Sequence, residues 1–163
     1  MDTTLTDQAH TVLAAVPAER REEYLHTASG LPLAQAAADL CDERMFRRWL
    51  ASGDEFLATC AAIGLGRLIA AGRGHLWPLL REAAHDHRAP VREGVAMGLR
   101  RVADADPDEL LDELERWVDG PPPLRRAAVD GLTGHRCADD PAVARRVGPL
   151  VDRITWTLRR DRG

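Results

Sequence analysis

Apolar positions recur at helical spacing almost from one end of the chain to the other. Leu5, Ala9, Val12, Leu13 and Val16 form a first stripe, ended by Pro17. A second helix spans about 18–28, with Tyr24 and Leu25 as apolar anchors and Gly30 as its stop. Pro32 opens a third helix that carries Leu33, Ala37 and Leu40. Asp42 caps a fourth, in which Met45, Phe46, Trp49 and Leu50 face inward. Ser52 and Glu55 match a capping box ahead of a long fifth helix, which runs to about Ala71 and is broken by Gly72, Arg73 and Gly74. Five more helices are predicted at about 75–85, 90–104, 107–118, 123–133 and 141–160. The joints HDHRAP, DADP, DGPPP and GHRCADDP are short and rich in Gly, Pro and Asp, so neighbouring helices must fold back antiparallel. No segment alternates as a strand would.

Composition agrees with an all-α reading. The 163 residues suit one domain, and 45% hydrophobic content is globular. Only 4% are aromatic and alanine fills much of the apolar share, which disfavours β-sandwiches and barrels. All 22 basic residues are arginine, a sign of genomic base bias before it is a sign of function. The net charge of -4 argues against generic binding to nucleic acid or anionic membrane. The N-terminus has neither the basic nor the apolar region of a signal peptide, and no apolar run approaches the roughly 18 residues that span a bilayer. Cys41, Cys60 and Cys137 form no CxxC, so neither a disulfide framework nor a zinc site is indicated. These features point to the cytoplasm.

The most informative feature is an internal repeat near 33 residues. Asp86 aligns with Asp119, Val91 with Leu124, Arg92 with Arg125, Gly98 with Gly131 and Leu99 with Leu132. Leu76 and Leu80 align with Leu110 and Leu114, and the stretch from Ala61 to Leu65 with that from Val95 to Leu99, both at a shift of 34. Each helix pair has an apolar stripe that it cannot cover alone, so stacked pairs form a continuous core. Small residues at Gly94, Gly98, Ala127, Ala128 and Gly131 let second helices approach closely, and Gly64 and Gly66 read as packing contacts. Asp86 and Arg92, like Asp119 and Arg125, stand six residues apart, with the acid in the turn and the arginine in the first turn of the next helix. This spacing predicts a ladder of paired Asp and Arg along the turns.

An Asp in the turn, then an apolar residue and Arg opening the second helix, resembles the HEAT repeat. The stretches VREGVAMGLRR, DELLDELERWVDG and LRRAAVDGL are similar to bacterial HEAT-like proteins. The likeness is good from about Asp54 to Leu132, extends to Arg160, and lacks the Asp and Arg positions before Asp54. It implies an all-α solenoid, a right-handed superhelix of four to five antiparallel helix pairs. Residues 1–53 would be divergent N-terminal helices, 54–140 HEAT-like repeats and 141–163 a C-terminal capping helix. It implies a non-catalytic scaffold or adaptor, with no cofactor and no reaction. A protein or peptide partner would meet the concave face of the second helices. On that face the expected contacts are Glu93, Met97 and Arg100 from one unit and Arg126, Asp130 and Thr133 from the next. The mixed signs suit a protein better than a polyanion. The alternative is a DNA alkylation-repeat glycosylase, also built of HEAT-like helices, with Trp117 and Asp119 as the matching residues. Bilin lyases of HEAT-like build are a more distant alternative.

Other clusters have plainer explanations. His85, Asp86 and His87 read as a solvated turn rather than a metal site, because zinc needs three or four convergent ligands. His135 near Cys137 reads the same way. The acids from Asp104 to Glu115 lie at a helix start, where the macrodipole favours them. From Gly120 to Gly163 nine arginines face five acids, a modest basic end. Trp49, Trp77, Trp117 and Trp156 read as core or packing residues, with Trp117, at a helix end, the one expected to be partly exposed.

Overall fold

Four helices begin on an aspartate whose side chain closes the first turn by accepting a main-chain N–H. Asp42 accepts from Met45 at 2.9 Å, Asp54 from Leu57 at 2.9 Å, Asp106 from Glu109 at 3.1 Å and Asp140 from Ala142 at 2.8 Å. In the computed structural model, which describes residues 3–133 and 135–163, these caps help to delimit α1 (Thr3–Ala15), α2 (Arg21–Thr27), α3 (Leu31–Leu40), α4 (Glu43–Leu50), α5 (Glu55–Ala70), α6 (Trp77–Ala83), α7 (Ala89–Ala105), α8 (Pro107–Trp117), α9 (Pro122–Leu132) and α10 (Pro141–Arg160). The described residues contain no strand. The predicted joint GHRCADDP becomes a single 3-10 turn, Arg136–Asp139; its first residue, Gly134, lies outside the described residues.

The capping box predicted at Ser52 does not form; a simple cap replaces it two residues later. Asp54 is the N-cap of α5, while Ser52 donates to the Trp49 carbonyl and accepts from the Asp54 N–H. A carboxylate two residues closer to the helix displaces the hydroxyl from the capping role. The two short predicted helices at 18–28 and 75–85 each begin as a 3-10 turn, Ala18–Arg20 and Gly74–Leu76.

The helices arrange as a row with a second set against it. α1, α3, α5, α7 and α9 lie side by side in chain order. α4 packs on α5, α6 on α5 and α7, α8 on α7 and α9, and α10 on α8 and α9. α5 and α7 run parallel, since Thr59 meets Gly94 and Ala62 meets Gly98. Their contact is backbone against backbone: Gly66 lies on Gly98, and a Cβ on Gly98 would sit 2.8 Å from the Ala62 carbonyl oxygen. Gly64 leaves room for the Phe46 ring, and Gly131 for the Leu99 side chain. Leu57, Ile63, Leu65, Val95, Leu99, Leu110, Leu114 and Leu132 complete a core that reaches from α5 to α9.

The first helix is held differently. Of its predicted stripe only Leu13 is buried, while Leu5 and Val12 are 52% and 48% exposed. Polar contacts compensate. His10 meets the Asp39 carboxylate at 2.5 Å and the Thr6 carbonyl at 2.8 Å. These two acceptors, the Thr6 carbonyl foremost, raise the imidazole pKa and favour the ring carrying both protons. Asp39 also accepts from Arg101 of α7, so α3 and α7 are bridged over the top of α5. Arg21 and Arg67 close the C-terminal end of α3 by donating to the carbonyls of Leu40, Ala38 and Cys41.

Candidate functional site

α3, α5, α7 and α9 share one face, and three adjoining clefts run across it. The first lies between α7 and α9, encloses about 390 Å³, and is lined by Glu93, Met97, Arg100, Asp130 and Thr133. Five of the six residues expected to contact a partner are therefore brought together. The sixth, Arg126, lines the second cleft, of about 570 Å³, at the N-terminal ends of the same helices with His85, His87, Arg92, Glu93 and Asp130. The third, of about 360 Å³, lies between α3, α5 and α7, where Leu31, Phe56, Pro90 and Met97 form apolar walls beside Glu55 and Glu93. Leu31 is 41% exposed, unusual for so large an apolar side chain in this chain. Glu93 lines all three clefts and joins them into one groove.

The sequence reading missed Leu31, Glu55 and Phe56. All three lie ahead of Ala61, where the first aligned stretch of the repeat begins. The available signal was the adjacent pair Phe56 and Leu57, of which a helix can bury only one fully; Leu57 takes the core and Phe56 the groove.

Some of the charged side chains lining the groove are engaged. Arg100 donates to the Asp130 carbonyl at 2.7 Å, and Arg92 to the Asp86 carbonyl at 2.8 Å. Glu55, Glu93 and Arg126, and the carboxylate of Asp130, have no hydrogen-bond or ion-pair partner among the described residues. Their charges are open to an incoming group.

The predicted Asp–Arg ladder does not form with the expected pairs. The Asp86 carboxylate accepts from the Arg88 guanidinium at 2.9 Å and from the Arg88 main-chain N–H at 2.9 Å. This partner holds the Asp86 carboxyl down at about 2. Arg92 reaches only the carbonyl of Asp86. Asp119 pairs instead with Arg153 at 2.8 Å, and the buried Arg125 with Asp161. The cause is the residue two places on. Arg88 offers an N–H that fixes the Asp86 side chain in the turn, whereas Pro121 has none, so Asp119 is left to turn toward α10.

The remaining candidates are absorbed by packing. Arg146 of α10 gathers Asp112 at 2.8 Å with Glu115 and Asp108 at 3.1 Å, which takes up much of the α8 acid cluster and raises the arginine pKa. Glu113 is buried and accepts from Arg81, Arg116 and the Trp117 indole N–H. Trp117, expected to be partly exposed, is 0% exposed, because it packs edge-on against Trp77 with ring centroids 6.3 Å apart. Trp156 is the exposed one, at 61%, with Arg160 stacked over its ring. Trp117 and Asp119, the pair matched to the glycosylases, therefore have separate structural partners. His85 bonds the Arg81 carbonyl, His87 points to solvent, and His135 meets Asp104 at 3.0 Å. No three His, Cys, Asp or Glu side chains among the described residues converge as metal ligands would. Burial pushes the Cys41 thiol up to about 11 and the Cys60 thiol higher still, which keeps both in the unreactive protonated form. No described helix is long and apolar enough to cross a membrane.

No protein-family model, curated protein or solved structure matches the chain significantly.

Proposed function

We propose that the chain is a HEAT-like α-solenoid, and that it serves in the cytoplasm as a non-catalytic adaptor holding a protein or peptide partner in the groove of α3, α5, α7 and α9. Polar contacts between units support the solenoid: Trp77 with Glu109, Arg81 with Glu113, Arg100 with Asp130, Asp119 with Arg153 and Arg125 with Asp161 all link residues one repeat apart. One observation carries the binding reading. Glu93, Arg126 and the Asp130 carboxylate, all named from the repeat alone, fall on one continuous groove and keep their charges unpaired there. An unpaired surface charge costs little, but three beside an apolar cleft are the usual furniture of a recognition surface with an apolar centre and a polar rim.

Site-specific photo-crosslinking tests this. A benzophenone amino acid at Met97 is expected to capture a discrete partner in the source cells, and one at the exposed Arg159 of α10, which lines none of the three clefts, is not. Capture from Arg159 alone would overturn the groove as the binding face. Anisotropy with duplex DNA provides the enzymatic counter-test: binding that falls steeply with salt would favour the glycosylase alternative.

A further inference from the structure

The third cleft differs from the other two in charge. Its walls are Leu31, Phe56, Pro90 and Met97, its only charged lining residues are Glu55 and Glu93, and no cation lines it. Neither carboxylate has a hydrogen-bond or ion-pair partner among the described residues; Arg88, whose guanidinium is held by Asp86, is near enough to Glu55 only to feel its charge. In the neighbouring cleft Arg92 and Arg126 accompany Glu93, so the excess of negative charge is confined to the α3–α5–α7 end.

Helix N-termini normally attract anions, and three of them open toward this cleft. Here that pull is blunted. Asp54 takes up the Leu57 N–H at the start of α5, and Pro32 and Pro90 remove an N–H from the first turns of α3 and α7. What remains at the rim is carboxylate beside apolar wall. Such a wall suits the aliphatic stem of a lysine or arginine, whose charged head then replaces water on the carboxylates.

We propose, building on the groove as the binding face, that its occupant is a peptide segment with an apolar side chain seated against Leu31, Phe56 and Met97 and an adjacent lysine or arginine held between Glu55 and Glu93. An acidic or phosphorylated residue at the same place would meet two like charges. The cleft therefore selects by sign as well as by shape.

A random-sequence peptide display library, panned against the full chain, tests the proposal. Parallel panning would use a Glu55→Gln/Glu93→Gln double variant, both positions being exposed, and a Met97→Asp variant at a half-buried position, each variant first matched to the parent by thermal melt. Recovered peptides are expected to place an aromatic or aliphatic residue beside Lys or Arg. Both variants should weaken their binding about tenfold or more, and added salt should weaken it further. Peptides that lose binding to Met97→Asp but keep it with Glu55→Gln/Glu93→Gln would overturn the cation requirement and leave the groove as a binding face. A library yielding no peptide sensitive to Met97→Asp or to Arg126→Glu would overturn both.

Discussion

Between α5 and α7, Gly66 rests on Gly98 and Gly94 on Thr59, with no long side chain in the gap. Between α8 and α10, Arg146 spans the gap to Asp108, Asp112 and Glu115, and Arg153 reaches Asp119 from the same helix. The first contact is made of shape alone; the second adds exposed charge pairs to the buried Val143, Val147, Leu150 and Ile154. Close backbone packing tolerates almost no change in volume, because nothing flexible can yield. Exposed ion pairs tolerate much, because water and salt can replace them. The chain thus has a centre that is rigidly specified and an end that is loosely specified.

The largest effect expected from a single substitution is at Leu99, which is fully buried against Gly131. Leu99→Ala should cost about 2–4 kcal/mol in urea unfolding. A loss below about 1 kcal/mol would show that the centre is not close-packed. Gly98→Ala offers a sharper test, because the sign is at stake. In an exposed helix the change stabilises by roughly 1 kcal/mol. Here the added Cβ meets the Ala62 carbonyl oxygen, so destabilisation of about 1–3 kcal/mol is expected. A stabilised variant would remove the backbone contact from the account.

Asp86 is where charge enters the centre, since Arg88 binds it and also donates to the Ser52 carbonyl. Its folded pKa of about 2 lies below the ordinary 3.8. The sign follows from linkage: the pair stabilises fully above about pH 4, and that stabilisation is lost as pH falls toward 2. Asp86→Asn should lower stability at neutral pH by about 1–2 kcal/mol and flatten the acid limb of the stability curve. An unchanged acid limb would contradict the assignment. The smallest effect belongs to the loose end. Arg146→Ala should cost about 0.5–1 kcal/mol at low salt and less in high salt, measured by chemical unfolding at two ionic strengths. A salt-independent loss of several kcal/mol would abolish the contrast between the two regions.

Helix order and the close-packed glycines were legible because both are local or periodic. A stripe at 3.6 residues, an Asp before it and a small residue repeated one unit later need no knowledge of the rest of the chain. Partner choice among long side chains was not legible in the same way. Arg125 and Asp119 each had an acid or base six residues away, yet both reach α10, because an arginine sweeps a wide volume and Pro121 leaves Asp119 without its turn. The burial of Trp117 is hidden from the sequence for a related reason. Its place at a helix end says nothing of Trp77, which comes from another unit and covers it. In the groove the repeat located Glu93, Met97, Arg100, Arg126, Asp130 and Thr133, while Leu31, Glu55 and Phe56 stand ahead of its first aligned stretch, Ala61 to Leu65.

The bridge from Asp39 to Arg101 has a mechanical consequence. It passes over α5, whose own backbone is pressed against α7, so α3, α5 and α7 deform together as one stiff plate. The seam between α7 and α9 is close-packed too, but through the Leu99 side chain against Gly131 rather than backbone against backbone, with the Arg100 bond to the Asp130 carbonyl across it, so it has more give. Strain applied along the groove will therefore be taken up at that seam. A force drawing α9 away from α7 would widen the cleft beside Arg126 before it altered the apolar one, so the two halves of the groove differ in compliance as well as in charge.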